Sequence, residues 1–273
     1  MPELPEVETV RRSVSAALLG CRVEGVEVTP ARLRLPLDAG EWQRVIGRRL
    51  ESVERQGKYL LVRFGEVGAV VHLGMTGRLL VARREDLWLP HTHLVLRFAG
   101  GRDLRFVDPR RFGFAVAMPG GDLGRLSPLP ELGPDPLEGD VLAALGAAAA
   151  RQRAPVRNVL LDQRVLAGVG NIYACEALYR AGIRPTRPIS RISPARLARL
   201  ADAIRAVLLE AIAAGGTTLS DGGFVASDGR AGYFAVQLEV YGREGLPCAR
   251  CAAPIRRLVL AGRSAYFCPA CQR

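Results

Sequence analysis

The sequence predicts an α+β protein, with an N-terminal helix leading a β-sandwich lobe, a helical C-terminal lobe, and a small four-cysteine module at the end. Three observations predict it. Apolar residues keep helical spacing only up to Gly20, then give way to short β-rich runs as far as about Val116. Helical spacing returns after a stretch rich in proline, glycine and aspartate. Two Cys-x-x-Cys pairs then stand close to the C-terminus.

In the first helix Val7, Val10, Val14 and Leu18 fall on one face, and Gly20 marks its end. Residues 59–64, 69–72, 94–98 and 104–107 read as strands, separated by Gly, Pro and Asp. Residues 119–140 read as a connection. Helices are expected at 141–150, 157–166, 172–181 and 194–214, and a glycine-rich lid or connector at 215–232. The boundaries that follow are 1–118 for the N-terminal β-sandwich domain, 119–136 for the linker, 137–232 for the helical domain with its loop, and 233–273 for the cysteine module.

With 49% hydrophobic and 24% charged residues, the composition is that of an ordinary globular protein. No apolar run approaches the roughly 20 residues of a membrane helix. The first nine residues hold three glutamates and two prolines where a signal peptide needs a basic and then an apolar stretch. A cytoplasmic protein is expected. The formal charge of +11 favours a polyanionic partner, although basic surfaces also serve membrane and heparin-like binders. Lys58 is the single lysine among 38 basic residues. Arginine solvates and contacts phosphate equally well but does not readily give up a proton near neutral pH. Lys58 is therefore a candidate for proton transfer.

The pairs Cys248/Cys251 and Cys268/Cys271 are separated by 16 residues, the spacing of a four-thiolate zinc site. Four thiolates leave no open coordination position, so the ion is structural. Two short strands are expected between the pairs, and Arg256, Arg257 and Arg263 would present guanidinium groups to phosphates. Cys21 and Cys175 read as free thiols.

A chain processed to begin at Pro2 would carry a secondary amine, part of it neutral at physiological pH, since an α-amino group has a pKa of roughly 7.7–8.0. Such an amine attacks sugar carbons or aldehydes, and Glu3 beside it could exchange protons. Proline and glutamate also suit a first helical turn, and that simpler role stays open.

The motifs together resemble the formamidopyrimidine-DNA glycosylase family. They are the opening Met1-Pro-Glu-Leu-Pro-Glu-Val-Glu-Thr9, then Gln56-Gly-Lys58-Tyr-Leu, His72-Leu-Gly-Met75-Thr-Gly77, Asp108-Pro-Arg110-Arg-Phe112-Gly, Gly168-Val-Gly-Asn171-Ile-Tyr-Ala174, and the cysteine module with Gly262-Arg263-Ser. The resemblance spans essentially the whole chain. It implies a helix-two-turn-helix element around Asn171. It also implies excision of 8-oxoguanine and formamidopyrimidines from double-stranded DNA, followed by strand cleavage at the abasic site. Pro2 would be the nucleophile, Glu3 the proton donor to the sugar, Lys58 the proton donor in β-elimination, and Arg263 the arginine of δ-elimination. Met75, Arg110 and Phe112 would fill the gap left by the extruded nucleotide. His91, Arg153 and Asn171 would contact DNA. One zinc ion, a monomeric state and no membrane partner complete the expectation. The stretch Asp221-Gly-Gly-Phe-Val-Ala-Ser-Asp-Gly229 is more glycine-rich than the family pattern.

Two alternatives remain at this point. An endonuclease VIII-type relative acting on oxidised pyrimidines would share Pro2, Glu3 and the lysine, but its expected opening is Pro-Glu-Gly-Pro. A non-catalytic zinc-ribbon DNA binder would account for the charge and the cysteines and leave Pro2, Glu3 and Lys58 idle.

Overall fold

The computed structural model describes residues 2–30, 33–119, 131–217 and 237–273. They fall into two compact units: residues 2–119 with 214–217, and residues 131–213 with 237–273.

The first unit opens with α1 (Leu4–Leu18). Its apolar face is the expected one, with Val7, Val10, Val14 and Leu18 at 0–1% exposure. Burying each such side chain contributes about 1.5–3 kcal/mol, far more than helix propensity supplies. That face joins the core between two four-stranded antiparallel sheets. One sheet holds β1 (Val23–Val28), β6 (Thr92–Phe98), β7 (Arg102–Val107) and β5 (Arg78–Arg83), in that order. The other runs β2 (Ser52–Gln56), β3 (Tyr59–Phe64), β4 (Val67–His72), β8 (Phe114–Pro119). Alternation explains β3: Leu60, Val62 and Phe64 face inward, while Tyr59, Leu61 and Arg63 are half-buried. A short α2 (Ala39–Gln43), capped by Asp38, inserts Trp42 into the core.

The second unit holds α3 (Val141–Arg151), α4 (Val156–Leu161), α5 (Asn171–Arg180) and α6 (Pro194–Ala213), followed by the hairpin β9 (Arg256–Leu260) and β10 (Arg263–Phe267). The helix expected at 157–166 stops at Leu161, because Asp162 turns to an extended ψ of 110° and its carboxylate accepts the Arg164 N–H at 3.0 Å. Such side-chain-to-backbone bonds compete with helix continuation. Residues 162–170 instead form turns braced by Gln163. Its amide donates to the carbonyls of Leu161 and Val169, and its oxygen accepts the Gly168 N–H. Most of the glycine-rich stretch at 215–232, including 221–229, lies outside the described residues, as does the 120–130 part of the expected linker. Among the described residues no helix is long and apolar enough to cross a membrane.

Candidate functional site: an N-terminal helix with a hairpin lysine, and a cysteine-clamped hairpin

Pro2 and Glu3 are both buried, with Glu3 at 2% exposure just before α1. Their backbone is held by Glu6, itself 1% exposed. One carboxylate oxygen of Glu6 accepts the Glu3 N–H at 2.7 Å, and the other accepts the Thr217 N–H at 2.8 Å. A single carboxylate thus fixes the start of the helix and the point where the chain returns to this unit after α6. The first bond is the reciprocal arm of a capping box, a Glu-x-x-Glu spacing visible in the sequence. The second joins residues 211 apart and has no local signal.

Lys58 is 7% exposed and shares with Gly57 the two-residue turn between paired Gln56 and Tyr59. Arg55 ties this turn to α1. Its Nε donates to Glu8 at 3.2 Å and its Nη1 donates to the Gly57 carbonyl at 3.3 Å. Glu8 also accepts from Arg11 and Arg12 at 2.8–2.9 Å. Burial alone would raise the Glu8 carboxyl, but these hydrogen bonds, with the charges of Arg11 and Arg55, carry it down to about 2. The helix that follows Pro2 and Glu3 and the turn that bears Lys58 are therefore joined by an ionised carboxylate and a buried guanidinium.

The same unit places Met75, Arg110 and Phe112 around an open groove of about 660 Å³, lined also by Leu33, Arg34, His72, Gly74 and Arg111. Met75 and Phe112 are 38% and 47% exposed, so neither is core filler. The Arg110 guanidinium lies 4.8 Å from the Phe112 ring centre. His72 sits against Tyr59 and Phe114, with ring centres 4.9 and 5.6 Å away. Burial, with the charges of Arg34 and Lys58, lowers its pKa to about 4, so the ring is neutral and Nδ1 accepts the Gly74 N–H at 3.1 Å. His91 is exposed, with a left-handed backbone at φ 66°.

In the second unit Asn171 opens α5, but its side chain is engaged within the protein. Its Oδ1 accepts from Arg157 at 2.6 Å and its Nδ2 donates to the Ser264 carbonyl at 2.9 Å. Arg157, 1% exposed, also donates to the carbonyls of Leu260 and Ser264, so helices and hairpin are stitched together at one point. Arg263 stands just past the hairpin turn at Ala261 and Gly262, where Ala261 is held at φ 45°. With Arg157, Asn158, Leu161, Asp162 and Ala261 it lines an open pocket of about 300 Å³. Arg153 is exposed in the connection between α3 and α4. Arg157 and Glu176 carry no signal in the sequence. The Glu176 carboxylate, 0% exposed, accepts the N–H groups of Glu239, Val240 and Tyr241 at 2.8–3.1 Å and so holds the chain entering the cysteine module on α5.

The sulfurs of Cys248, Cys251, Cys268 and Cys271 all lie within 4.8 Å of one another. A tetrahedral zinc ion with ~2.3 Å bonds needs sulfurs ~3.8 Å apart. Cys248 to Cys271 measures 3.9 Å and Cys251 to Cys268 3.5 Å, each pair drawing one cysteine from either knuckle. The donor set fits a closed structural metal site.

The described residues thus hold a helix-led β-sandwich in the first unit and, in the second, a pair of helices joined by braced turns with a cysteine-clamped hairpin. Family models match in the same order: the formamidopyrimidine-DNA glycosylase N-terminal domain over residues 1–115, its H2TH domain over 132–222, and a zinc finger found in FPG and IleRS over 245–273. The chain is 48% identical over 273 residues to the formamidopyrimidine-DNA glycosylase of Geotalea uraniireducens, with both chains fully covered. It is similar to the crystal structure of the MutM (FPG) protein from Thermus thermophilus, at 44% identity and TM-score 0.87, over 99% of this chain and 98% of that one. It is also similar to a MutM in complex with DNA containing carbocyclic 8-oxo-G, at 30% identity and TM-score 0.89, over the full length of both. The chain belongs to the formamidopyrimidine-DNA glycosylase family of DNA-repair enzymes.

Proposed function

We propose that this enzyme excises oxidised purines, 8-oxoguanine and formamidopyrimidines, from duplex DNA through a Schiff base on Pro2, and then cuts the strand by β,δ-elimination. The observation that carries the reading is the joint anchorage of the three candidate reagents. Glu6 holds the backbone at Glu3, and the Glu8–Arg55 pair ties α1 to the turn of Lys58. Relatives named for formamidopyrimidine, and one complexed with an 8-oxo-G analogue, support the purine assignment.

Once Met1 is removed, the secondary amine of Pro2 attacks C1′ of the damaged nucleotide while Glu3 protonates the sugar ring oxygen, and the base departs. The resulting iminium acidifies C2′, whose proton passes to water as the C3′–O bond breaks; loss of the C4′ proton to water then breaks the C5′–O bond, so the two phosphates leave in turn. Lys58 supplies the proton in β-elimination and Arg263 assists the δ step. Met75, Arg110 and Phe112 occupy the gap left by the extruded nucleotide. His91 and Arg153 contact the DNA backbone, and Asn171 does so through its main-chain N–H at the start of α5 and the remaining hydrogen of its Nδ2. One zinc ion on Cys248, Cys251, Cys268 and Cys271 holds the hairpin and takes no part in the chemistry. The enzyme acts as a cytoplasmic monomer, divided as 1–118, a 119–136 linker, 137–232 and 233–273.

Borohydride trapping tests the reading on duplexes carrying 8-oxoguanine opposite cytosine or thymine glycol opposite adenine. A covalent adduct with faster excision of 8-oxoguanine is expected. Preference for thymine glycol would move the chain to the pyrimidine-directed branch, and no adduct on either duplex would leave a DNA binder without this chemistry.

A further inference from the structure

Two loops carry the groove's exposed side chains: residues 73–77 between β4 and β5, and residues 108–113 between β7 and β8. Met75 on the first loop and Phe112 on the second stand out into solvent, although large apolar side chains gain by leaving water. Something beneath must hold the loops up.

That support is Asp108, 0% exposed. Its Oδ1 accepts the Thr76 hydroxyl at 2.7 Å and its Oδ2 accepts the Gly113 N–H at 2.7 Å. The Thr76 oxygen in turn accepts the Arg110 N–H at 3.3 Å. One line of three bonds therefore crosses both loops and ends on the peptides that carry Arg110 and follow Phe112. The backbones also touch: a Cβ at Gly74 would lie 2.4 Å from the Gly113 nitrogen and 2.5 Å from the Phe112 carbonyl carbon. Arg111, between the two candidate insertion residues, is held left-handed at φ 59°, a strained conformation that persists only when its surroundings impose it. The His93 ring, 3% exposed, bonds the Asp108 carbonyl at 2.9 Å and fixes the base of the second loop.

We infer that Thr76 and Asp108 are positioning residues that lock the Met75 loop to the Arg110–Phe112 loop, so that all three side chains enter DNA as one preset wedge and Arg110 meets the unpaired base at a fixed register. The inference rests on the insertion role proposed for Met75, Arg110 and Phe112. Neither Thr76 nor Asp108 touches DNA in this account. Their effect is on geometry, and misplacing a recognition group by about 1 Å is enough to cost on the order of a hundredfold.

The test compares wild type with Thr76→Val, Thr76→Ser, Asp108→Asn and Arg110→Ala. Single-turnover excision is measured from 8-oxoguanine opposite cytosine and opposite adenine. Wedge entry is followed by the fluorescence of pyrrolocytosine placed opposite an abasic-site analogue. Thr76→Val keeps the side-chain shape but loses both the donated and the accepted bond. It is expected to lower the cytosine-over-adenine excision ratio by about tenfold and to blunt the pyrrolocytosine signal, and Thr76→Ser to restore both to within about twofold. Asp108→Asn is expected to act in the same direction, and if it fails to fold the threonine pair carries the test. A Thr76→Val enzyme with a lowered melting point but a wild-type excision ratio and signal would reduce the network to ordinary structural support and overturn the inference. Failure of Thr76→Ser to rescue would overturn it as well. An Arg110→Ala enzyme with an unchanged ratio would overturn the insertion reading itself, and the lock with it.

Discussion

Lys58 lies in a tight turn, 7% exposed, with Arg55 donating to the carbonyl of its neighbour Gly57. An arginine there would keep the charge and most of the volume but not the transferable proton. Lys58→Arg is expected to slow strand cleavage at a preformed abasic site by roughly 10²–10⁴-fold, the range of general acid–base catalysis, while DNA affinity stays within about twofold. Gel assays of single-turnover cleavage and anisotropy binding measure the two. Equal loss of both would mean that the lysine only binds phosphate.

Glu8 makes a statement about pH. Its folded pKa of about 2 lies below the ordinary 4.5. Stability from the ionised carboxylate is therefore complete above pH 4.5 and is lost as the pH falls toward 2. Glu8→Gln is expected to lower the unfolding midpoint at neutral pH and to flatten the acid-induced loss of stability within that window. Urea unfolding at a series of pH values checks it. An acid limb as steep as wild type would show that Arg11, Arg12 and Arg55 gain nothing from the charge.

At the level of elements, α5 does two jobs from its two faces. Its first residue, Asn171, joins Arg157 and Ser264, and its buried Glu176 accepts three consecutive N–H groups of the segment at 239–241. Burial raises the Glu176 carboxyl against the lowering effect of those donors, so both protonation and amidation remove acceptor capacity at a place that water does not reach. Glu176→Gln leaves at least one N–H without a partner, at a cost of about 1–3 kcal/mol. The expected outcome is a lower denaturation midpoint together with faster extraction of metal by a chelator, read by a colorimetric zinc assay. A destabilised variant with unchanged chelation kinetics would show that α5 and the cysteine module are not coupled through this carboxylate.

Elements dictated by local pattern were legible, and those dictated by distant contacts were not. The face of α1 could be read from Val7, Val10, Val14 and Leu18, and the cysteine hairpin from its spacing, because both signals repeat within a few residues. The end of α4 could not. Apolar residues continue to Leu166, which is buried although it stands in a turn, and only the carboxylate of Asp162 diverts the backbone. Apolar periodicity reports burial, and a tightly packed turn buries side chains as well as a helix does.

Over the whole molecule, the candidate reagents were legible because they are chemically unusual: a proline at the second position, a lone lysine, four cysteines. Apart from the local Glu3–Glu6 spacing, their supports were not legible, because an ordinary glutamate, arginine or threonine becomes informative only when its partner is seen. Glu6 reaches Thr217, 211 positions away, and Arg157 reaches Ser264, 107 away. Asp108 and Thr76 stood inside motifs already singled out, yet nothing in the sequence joined one to the other. Residues of the first unit hold the proposed nucleophile and proton donors, while Arg263 and the cysteine cluster belong to the second.

The most direct measurement is peptide mapping by mass spectrometry of the enzyme after borohydride reduction on an 8-oxoguanine duplex. The account predicts a deoxyribose remnant on the nitrogen of Pro2, in a chain from which Met1 has been removed. A remnant on Lys58 or any other side chain, or an active enzyme that still carries Met1, would contradict it.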